Sequence, residues 1–421
     1  MSIGFVLLFI FAVLLIIGLP IGFCLALASL GAIFYADYPL TVFSQRMFTA
    51  LDSFPLMAIP LFMLAGSLMS HGGITKRIIS FALGFVGNIR GSLAQVVAIS
   101  GIIMGGISGS GVADAAAIGS IMIPEMNRRK YATDFSAALV ACSGAIGLII
   151  PPSIAIIIYG VSAQVSIGDL FLAAVLPGVC IGLGFMSYSY YIARKHNYPT
   201  EGTVSHKEKV ERFKAAIWAL LMPVIMMWGI RGGVFTATEG GAVVAVYALV
   251  ISMFVYKEIT VKDLPQICID AAVSTAVIGT IIAATSLFGW LLASEQIPQK
   301  IANFVLSLTD NKYILLFLIN ILLLICGMFI DSGPAIMLFA PILVPVAQSL
   351  GVDLVQFGLL MVINLTIGLL TPPVGTAMYV ASNISGVPIH TLSKSLVPFW
   401  FIMFAVLFVI TYVPAFTVWV H

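Results

Sequence analysis

Charged side chains are scarce in this sequence of 421 residues. Lys and Arg together number 19 and Asp and Glu 17, which makes 9% of the chain charged while 61% is hydrophobic. A soluble domain carries about 25% charged residues, and a water-soluble globule needs that charge to cover its surface. The net charge of +2 also excludes a nucleic-acid-binding face, which requires many clustered Lys and Arg. The sequence therefore predicts an integral membrane protein that contacts the lipid bilayer and no nucleic acid.

Patterns for catalysis and metal binding are missing as well. The five cysteines form no CxxC pair, and the five histidines are scattered and mostly flank apolar segments. An intramembrane hydrolase needs a nucleophile beside a base such as His, and no His lies in the middle of a predicted span. No Gly-rich phosphate loop of the Walker type occurs, which excludes nucleotide hydrolysis by this chain. We predict no enzymatic activity and no cofactor.

Long apolar runs dominate the remaining sequence. Residues 2–36 contain no charge and exceed a signal-peptide core in length, so they are predicted to be a retained membrane helix. A span needs about 20 apolar residues. Nine runs meet this length: 3–35, 49–70, 134–163, 168–193, 215–230, 239–256, 275–293, 353–385 and 396–418.

Two further apolar regions, 91–126 and 313–347, are each interrupted near the middle by small and polar residues. The interruptions are GGISGSGVAD (105–114) and GMFIDSGPA (327–335). Each region is predicted to be a helical hairpin folded at its tip. An ordinary tight loop between two full spans is the alternative, because both arrangements return the chain to the same side.

The two halves of the chain resemble each other at a nearly constant offset. Shorter amphipathic segments at 74–88 and 297–311 precede the hairpins and are predicted to be arm helices lying in the membrane interface. Ile74 matches Ile297 (297 − 74 = 223), Ser110 matches Ser332 (332 − 110 = 222), and Pro151 matches Pro372 (372 − 151 = 221). The stretch IGLIIPPSIAIIIYG likewise resembles IGLLTPPVGTAMYVA. The chain is therefore predicted to be an internal duplication.

The placement of Lys and Arg predicts the orientation. If arms and hairpins do not cross, only Arg46, Arg231, Lys300 and Lys312 of the 19 basic residues face one side, which identifies the opposite side as cytoplasmic. The N-terminus and the linker 194–214 would be cytoplasmic and the C-terminus external. The single span 215–230 then inverts the second repeat. The predicted fold class is an all-α polytopic membrane protein with two inverted-topology repeats, re-entrant hairpins and broken helices, as in secondary transporters.

The hairpin tips and the two double-proline helices are the places where chemistry is expected. Irregular backbone inside hydrocarbon is tolerated only where protein buries it or where it lines a cavity, and a proline pair inside a helix frees carbonyl oxygens. These carbonyls, with nearby hydroxyls and carboxylates, are hard ligands for a small cation. The predicted cation-binding residues are Ser108, Gly109, Ser110, Asp114, Gly147, Gly327, Asp331, Ser332, Gly333, Gly368 and Thr371.

An anion site is expected beside the cation site, because the half-helix N-termini at the same breaks attract negative charge. The predicted substrate-binding residues are Gly111, Pro151, Pro152, Ser153, Pro372, Pro373, Gly375 and Thr376. Asp114 and Asp331 are costly inside a membrane and are therefore functional candidates. The alternative for both is that they only cap a helix N-terminus.

Several motifs resemble the large membrane (M) subunit of tripartite ATP-independent periplasmic (TRAP) transporters over essentially the whole chain. These are LPIGF (19–23), MAIPLFMLAG (57–66), SGSGVADAAAIG (108–119), GLIIPPS (147–153), DSGPA (331–335) and GLLTPPVGTA (368–377). The resemblance implies sodium-driven import of an organic anion, such as a C4-dicarboxylate, sialic acid or another sugar acid, across the bacterial inner membrane. It also implies two partners, a periplasmic substrate-binding protein (P subunit) and a separate small membrane subunit (Q subunit).

The resemblance further implies roles for particular residues. Ser108, Ser110 and Asp114 would serve one sodium site, and Asp331, Ser332 and Thr371 the other. An elevator mechanism would move a transport domain against a scaffold. The implied domains are 1–90 scaffold and first arm, 91–163 first transport half, 164–296 scaffold, 297–311 second arm, 312–385 second transport half, and 386–421 final scaffold helix.

Two alternatives have the same polar features in the membrane. An ion channel also places carbonyls and hydroxyls there, but channels usually gain their axis by oligomerisation, whereas an inverted duplication favours alternating access. A stand-alone sodium- or proton-coupled organic anion symporter of the same architecture would need no binding protein.

Overall fold

The structure is a computed structural model that describes residues 2–202, 204–297, 300 and 311–420. Within these ranges the chain forms helices, turns and loops without a strand, which confirms the all-α prediction. The second predicted arm helix, 297–311, lies almost entirely outside the described residues.

The helices before the polar linker are numbered α1 to α10. They are α1 Ile3–Ile16, α2 Ile21–Tyr35, α3 Thr41–Leu51, α4 Ala58–His71, α5 Ile74–Val86, α6 Ser92–Ser108, α7 Gly111–Arg128, α8 Thr133–Ala145, α9 Ile154–Ala163 and α10 Ile167–Lys195. Those after it are α11 His206–Arg231, α12 Ala237–Val250, α13 Leu264–Ser294, α14 Lys312–Gly327, α15 Ser332–Ser349, α16 Leu354–Gly368, α17 Thr376–Ser385 and α18 Ile389–Tyr412.

Long helices occupy most of the predicted spans. Seven segments of the described chain are long and apolar enough to cross a membrane. Six coincide with predicted spans, and the seventh, Ser332–Ser349, is the second limb of the second predicted hairpin. The predicted spans 134–163 and 353–385 are broken, as expected, into α8 and α9 and into α16 and α17.

The prediction of one membrane helix over residues 3–35 is wrong. The segment is a pair of short antiparallel helices, α1 and α2, that pack on each other. At Gly18 φ is +88°, which ends the first helix, and Pro20 occupies the N-cap of the second. Proline has no amide hydrogen and fits the start of a helix better than its interior. Helices of 14 and 15 residues are about 21 and 22 Å long and fall short of a 30 Å hydrocarbon core.

Because the chain reverses between α1 and α2, its first residues lie at the same end of the pair as residue 36. The cytoplasmic placement predicted for the N-terminus depended on a single crossing and loses its basis. The sequence interpretation also contained no helix α3, although its half-buried Val42, Phe43 and Met47 give it an apolar face, and it packs on α13.

The predicted duplication is visible in helix lengths and in packing. Helices α6 to α9 contain 17, 18, 13 and 10 residues, and α14 to α17 contain 16, 18, 15 and 10. In both repeats the first hairpin limb packs on the first half of the broken helix, α6 on α8 and α14 on α16. The second half of each broken helix crosses to the other repeat, so that α9 packs on α15 and α16, and α17 on α7 and α8. The two repeats therefore form one interlocked bundle.

Other helices surround this bundle on two sides. Helices α10 and α18 pack on each other and on α6, α8 and α16, with the Phe399 ring against Phe185 and Tyr188. Helices α4, α5, α11, α12 and α13 pack on one another, and α13 packs also on α2 and α3. They touch the bundle along α5, which packs on α6, and along α4 and α13. The helix α5 confirms the predicted first arm as a helix, and its Arg77 pairs with Glu258 at 3.0 Å. The predicted division into moving and stationary parts stays a prediction.

We expect the bundle to tolerate no side chain at the contact between α7 and α8. A Cβ added at Gly144 would lie 2.5 Å from the backbone nitrogen of Ala115, and backbone cannot yield as a flexible side chain can. Gly144→Ala should lower the free energy of unfolding by about 1–3 kcal/mol, measured as the melting temperature of purified protein. Gly279→Ala, where the nearest atom is a Leu51 methyl group at 3.7 Å, is the matched control and should be neutral. Equal melting temperatures for both variants would contradict this packing.

Candidate functional site

The tip of the first hairpin encloses a carboxylate. Helix α6 ends at Ser108, Gly109 takes a left-handed conformation with φ +64°, and α7 begins directly after Ser110. The Ser108 hydroxyl donates to Oδ1 of Asp114 at 2.6 Å and accepts from the backbone N–H of Ser110 at 3.1 Å. Asp114 is 1% exposed, and its Oδ2 has no hydrogen-bond partner among the described residues.

The first helix break packs directly on this tip. A Cβ at Gly147 would collide with Oδ2 of Asp114, and a Cβ at Gly109 would collide with the carbonyl oxygen of Pro152. The Pro151–Pro152 peptide bond is cis, and Ser153 caps α9 by accepting from the backbone N–H of Ile156 at 3.3 Å. Tip and break are therefore in backbone contact, and glycine is required at both positions.

The second hairpin tip repeats this arrangement in a more open form. The Thr376 hydroxyl donates to Oδ1 of Asp331 at 2.9 Å, and the backbone N–H of Val374 donates to the carbonyl of Met328 at 3.2 Å. A Cβ at Gly368 would collide with the backbone of Gly327, and a Cβ at Gly327 would lie 3.2 Å from the Cα of Gly368. Unlike Asp114, Asp331 is exposed.

Neither carboxylate makes the capping hydrogen bond of the alternative interpretation. The N-cap of α7 is Ser110, and Asp331 occupies the N-cap of α15 without a side-chain bond to the first-turn amides. The first amides of both helices are thus left without a side-chain acceptor. Helical capping does not account for these two residues.

Both hairpin tips line one cavity of about 210 Å³, the central cavity. Three helices begin at its wall, because the first residues of α7, α9 and α15 are lining residues. The remaining wall is mostly apolar and comes from the surrounding helices α4 and α13. The lining residues include Met63, Ser110, Gly111, Ile154, Ile158, Val277, Ile278, Ile281, Asp331, Ser332, Gly333 and Met337.

The predicted site residues are brought together only in part. The lining of the central cavity includes Gly109, Ser110, Gly111, Asp331, Ser332 and Gly333. The other predicted residues are absent from this lining: Ser108 and Asp114 at the first tip, Gly147 and Ser153 at the first break, Gly327 at the second tip, and Gly368, Thr371, Gly375 and Thr376 at the second break. Thr371 donates to the carbonyl of Ile367 at 2.8 Å. Of the predicted substrate residues, Gly111 alone lines this cavity, and the prolines 151, 152, 372 and 373 do not.

The sequence interpretation missed the outer wall. Met63 of α4 and Val277, Ile278 and Ile281 of α13 face both tips across the cavity. Met63 lies in the motif MAIPLFMLAG, which was a signal for this position, whereas the α13 residues have an ordinary apolar pattern. Asp270, just before the predicted span 275–293, is half-buried and lines a separate cavity of about 260 Å³ with His71, Ser108 and Ser110.

Comparison with known proteins identifies the family. The sequence profile of the "Tripartite ATP-independent periplasmic transporter, DctM component" matches residues 8–416. The chain belongs to the DctM family of TRAP transporters. It is 40% identical over 405 residues to the sialic acid TRAP transporter large permease protein SiaM of Vibrio cholerae, covering 96% of this chain and 95% of the relative. It is also 38% identical over 370 residues to the C4-dicarboxylate TRAP transporter large permease protein DctM of Pseudomonas aeruginosa, covering 88% and 87%.

One further relative and one solved structure are similar to this chain. The isethionate TRAP transporter permease protein DctMQ of Oleidesulfovibrio alaskensis is 42% identical over 410 residues, which cover 96% of this chain and 64% of that protein. The fold is similar to the YdaH transporter of Alcanivorax borkumensis, with a TM-score of 0.65 over 89% of this chain and 87% of that one, at 13% identity. This TRAP subunit is therefore a large permease, a multi-pass inner-membrane protein and not an enzyme. As a TRAP subunit it is one component of a tripartite system.

We expect the hydrogen bond from Ser108 to stabilise the buried carboxylate of Asp114. Ser108→Ala removes the only side-chain donor to this carboxylate that the described residues provide and should lower the free energy of unfolding by about 1–3 kcal/mol. Thermal unfolding in sodium-free buffer measures the effect. Ser120→Ala, at an exposed site on α7, the helix that carries Asp114, is the control. Equal melting temperatures of the two variants would contradict a stabilising role of the hydrogen bond.

Proposed function

We propose that this permease imports an organic acid anion together with sodium ions, receiving the anion from a periplasmic binding protein and working with a small membrane subunit. The observation that carries the sodium step is the unpaired oxygen of Asp114. The carboxylate is buried, and none of the described cationic side chains pairs with it. An unpaired buried charge is costly, and a bound cation would compensate it.

The surrounding atoms suit sodium. A small hard cation takes oxygen ligands, and the Ser108 hydroxyl and the carboxylate lie together at the first tip, with the backbone of Gly147 against them. The described residues contain no group of three His, Cys, Asp or Glu that could hold a metal ion. The ligands would therefore be one carboxylate completed by hydroxyl and carbonyl oxygens, a set of low total charge that fits a monovalent ion. Asp331, Ser332 and Thr371 would form the corresponding second site.

The central cavity fits an anion. Helices α7, α9 and α15 begin at its wall, and the N-terminus of a helix carries a partial positive charge of roughly half a unit. The first-turn amides of α7 and α15 have no side-chain cap, so they are available as donors to a carboxylate or sulfonate. The relatives named for sialic acid, C4-dicarboxylate and isethionate share such a group. We infer the same class of substrate here.

An elevator movement is supported by where the cavity lies. Its inner wall is formed by both hairpin tips and its outer wall by α4 and α13. One neighbouring cavity shares Met63 and Ser110 with it, and another shares Ile158 and Met337. The first contains His71, next to the predicted cytoplasmic arm, and the second contains Arg46 on the predicted external side. Sliding the hairpin tips along α4 and α13 would connect the central cavity first with one of these two neighbouring cavities and then with the other.

Sodium should stabilise the folded permease through Asp114 and Asp331. A ligand present at ten times its Kd adds about 1.4 kcal/mol to the free energy of unfolding, so sodium should raise the melting temperature relative to potassium. Asp114→Asn and Asp331→Asn should each reduce this rise and abolish sodium-driven uptake while leaving the protein in the membrane. Asp263→Asn, in an exposed loop, is the control. Unchanged sodium dependence in both variants would refute the assignment.

Uptake into proteoliposomes with and without each partner tests the tripartite function. We expect transport of a radiolabelled acid to require three things: an inward sodium gradient, the small membrane subunit and the substrate-loaded binding protein. The gradient supplies the energy, and the binding protein delivers the acid to the permease. Full uptake in the absence of the binding protein would instead establish a stand-alone symporter of the same architecture.

A further inference from the structure

A second cavity, of about 380 Å³, lies between α3, α9, α13 and α15 on the predicted external side. The polar groups in its wall are Arg46, Ser162, Thr285, Ser286 and the indole of Trp290. Every one of them can donate a hydrogen bond, and the lining contains no acidic residue. The composition favours an anion over a cation.

Arg46 is positioned by an aromatic ring, without an acid. Its guanidinium carbon lies 4.9 Å from the centroid of the Trp290 ring, and Tyr38 packs on that same indole with a centroid distance of 5.7 Å. Within the described chain the guanidinium makes no ion pair. A cation–π contact orients an arginine and leaves its N–H groups free, and a guanidinium is suited to bidentate binding of a carboxylate or sulfonate.

Thr285 gives an independent indication of a ligand. It is 2% exposed, lines the same cavity, and its hydroxyl finds no hydrogen-bond partner among the described residues. A helical threonine can usually bond to the carbonyl one turn earlier, so an unpaired hydroxyl is unusual. Buried polar groups are nearly always paired, and leaving one unpaired costs about 1–3 kcal/mol. A polar ligand in the cavity would pair it.

The cavity is next to the central one. Ile158 of α9 and Met337 of α15 line both, so two apolar side chains separate them. On the opposite flank of the central cavity the corresponding space is lined by both Asp270 and His71. The Arg46 flank, whose lining has a basic residue and no acidic one, therefore favours a negative solute more strongly.

We propose that Arg46, Thr285 and Ser286 form a peripheral entry site that binds the carboxylate or sulfonate of the organic acid before it passes Ile158 and Met337 into the central cavity. This inference rests on the proposed function for the identity of the solute. The site itself is defined by charge and can be tested without transport.

The test uses the charge selectivity of a cysteine placed in the cavity. Ser286→Cys is introduced in the full-length chain after replacing the exposed and half-buried Cys180, Cys268 and Cys326 with serine, and the permease with its small subunit is placed in nanodiscs. The measured quantity is the reaction rate of the anionic reagent 2-sulfonatoethyl methanethiosulfonate divided by that of its cationic trimethylammonium counterpart. We expect this ratio to be higher for the Ser286→Cys variant than for a free thiol in solution. Adding Arg46→Gln should lower this ratio about tenfold, the scale of electrostatic focusing in a cleft.

Two controls separate a site from general surface charge. Arg46→Lys keeps the positive charge and should retain most of the selectivity, and Arg231→Gln, a basic residue predicted to lie on the same side but absent from this lining, should leave it unchanged. Succinate at millimolar concentration should slow labelling by either reagent when Arg46 is present and not in Arg46→Gln. A reagent ratio equal to that of free thiol, or one that Arg231→Gln lowers as much as Arg46→Gln does, would overturn the entry site.

Uptake then links the site to transport. Arg46→Gln should raise the substrate concentration for half-maximal uptake about tenfold at saturating binding protein and leave the sodium dependence unchanged, whereas failure of the proposed function would appear as absent sodium-driven uptake in the wild-type protein. If the labelling ratio responds to Arg46 but uptake does not, the cavity binds anions without serving entry, and the proposal is wrong.

Discussion

Backbone-to-backbone contact between hairpin tips and helix breaks is the constraint on which the rest of this structure depends. Inside hydrocarbon, interrupted backbone needs protein around it, and here each interruption covers the other. Gly109 lies against the Pro152 carbonyl, and Gly327 against Gly368. A side chain at Gly109 or Gly368 would push the tip away from the break and expose unpaired amides and carbonyls. The same closeness brings Asp114 against Gly147 at the proposed cation site.

The two halves use one design with different degrees of enclosure. Asp114 is buried behind its tip, whereas Asp331 is exposed and bonded to Thr376 across the second break. The two related sequences thus give one buried and one exposed carboxylate. In the proposed alternating-access mechanism, this difference is expected of a single state.

Much of this arrangement could be predicted from the sequence, because it follows from residues with strong local consequences. The paired prolines at 151 and 372 break helices wherever they occur inside one, and their constant offset revealed the duplication. Hydropathy cannot distinguish one long apolar helix from two short ones, which is why residues 3–35 were predicted to be one span although a second helix begins after Pro20. The cavity wall from α13 was also missed, since Val277, Ile278 and Ile281 look like any lipid-facing run until tertiary packing turns them inward. The placement of Arg46 above Trp290 depends on contacts between residues 244 positions apart (290 − 46), and no local pattern contains that information.

The crossed packing of α9 and α17 bears on how such a chain arose. Each of these helices leaves its own repeat and buries its surface against the other one, α9 on α15 and α17 on α7. A half-length polypeptide would therefore expose both an unfilled groove and an unpacked helix, and only a second identical copy could satisfy them. An exchange of this kind is how a swapped homodimer is built. The duplicated chain has the form that joining two such copies end to end, with one extra crossing between them, would produce.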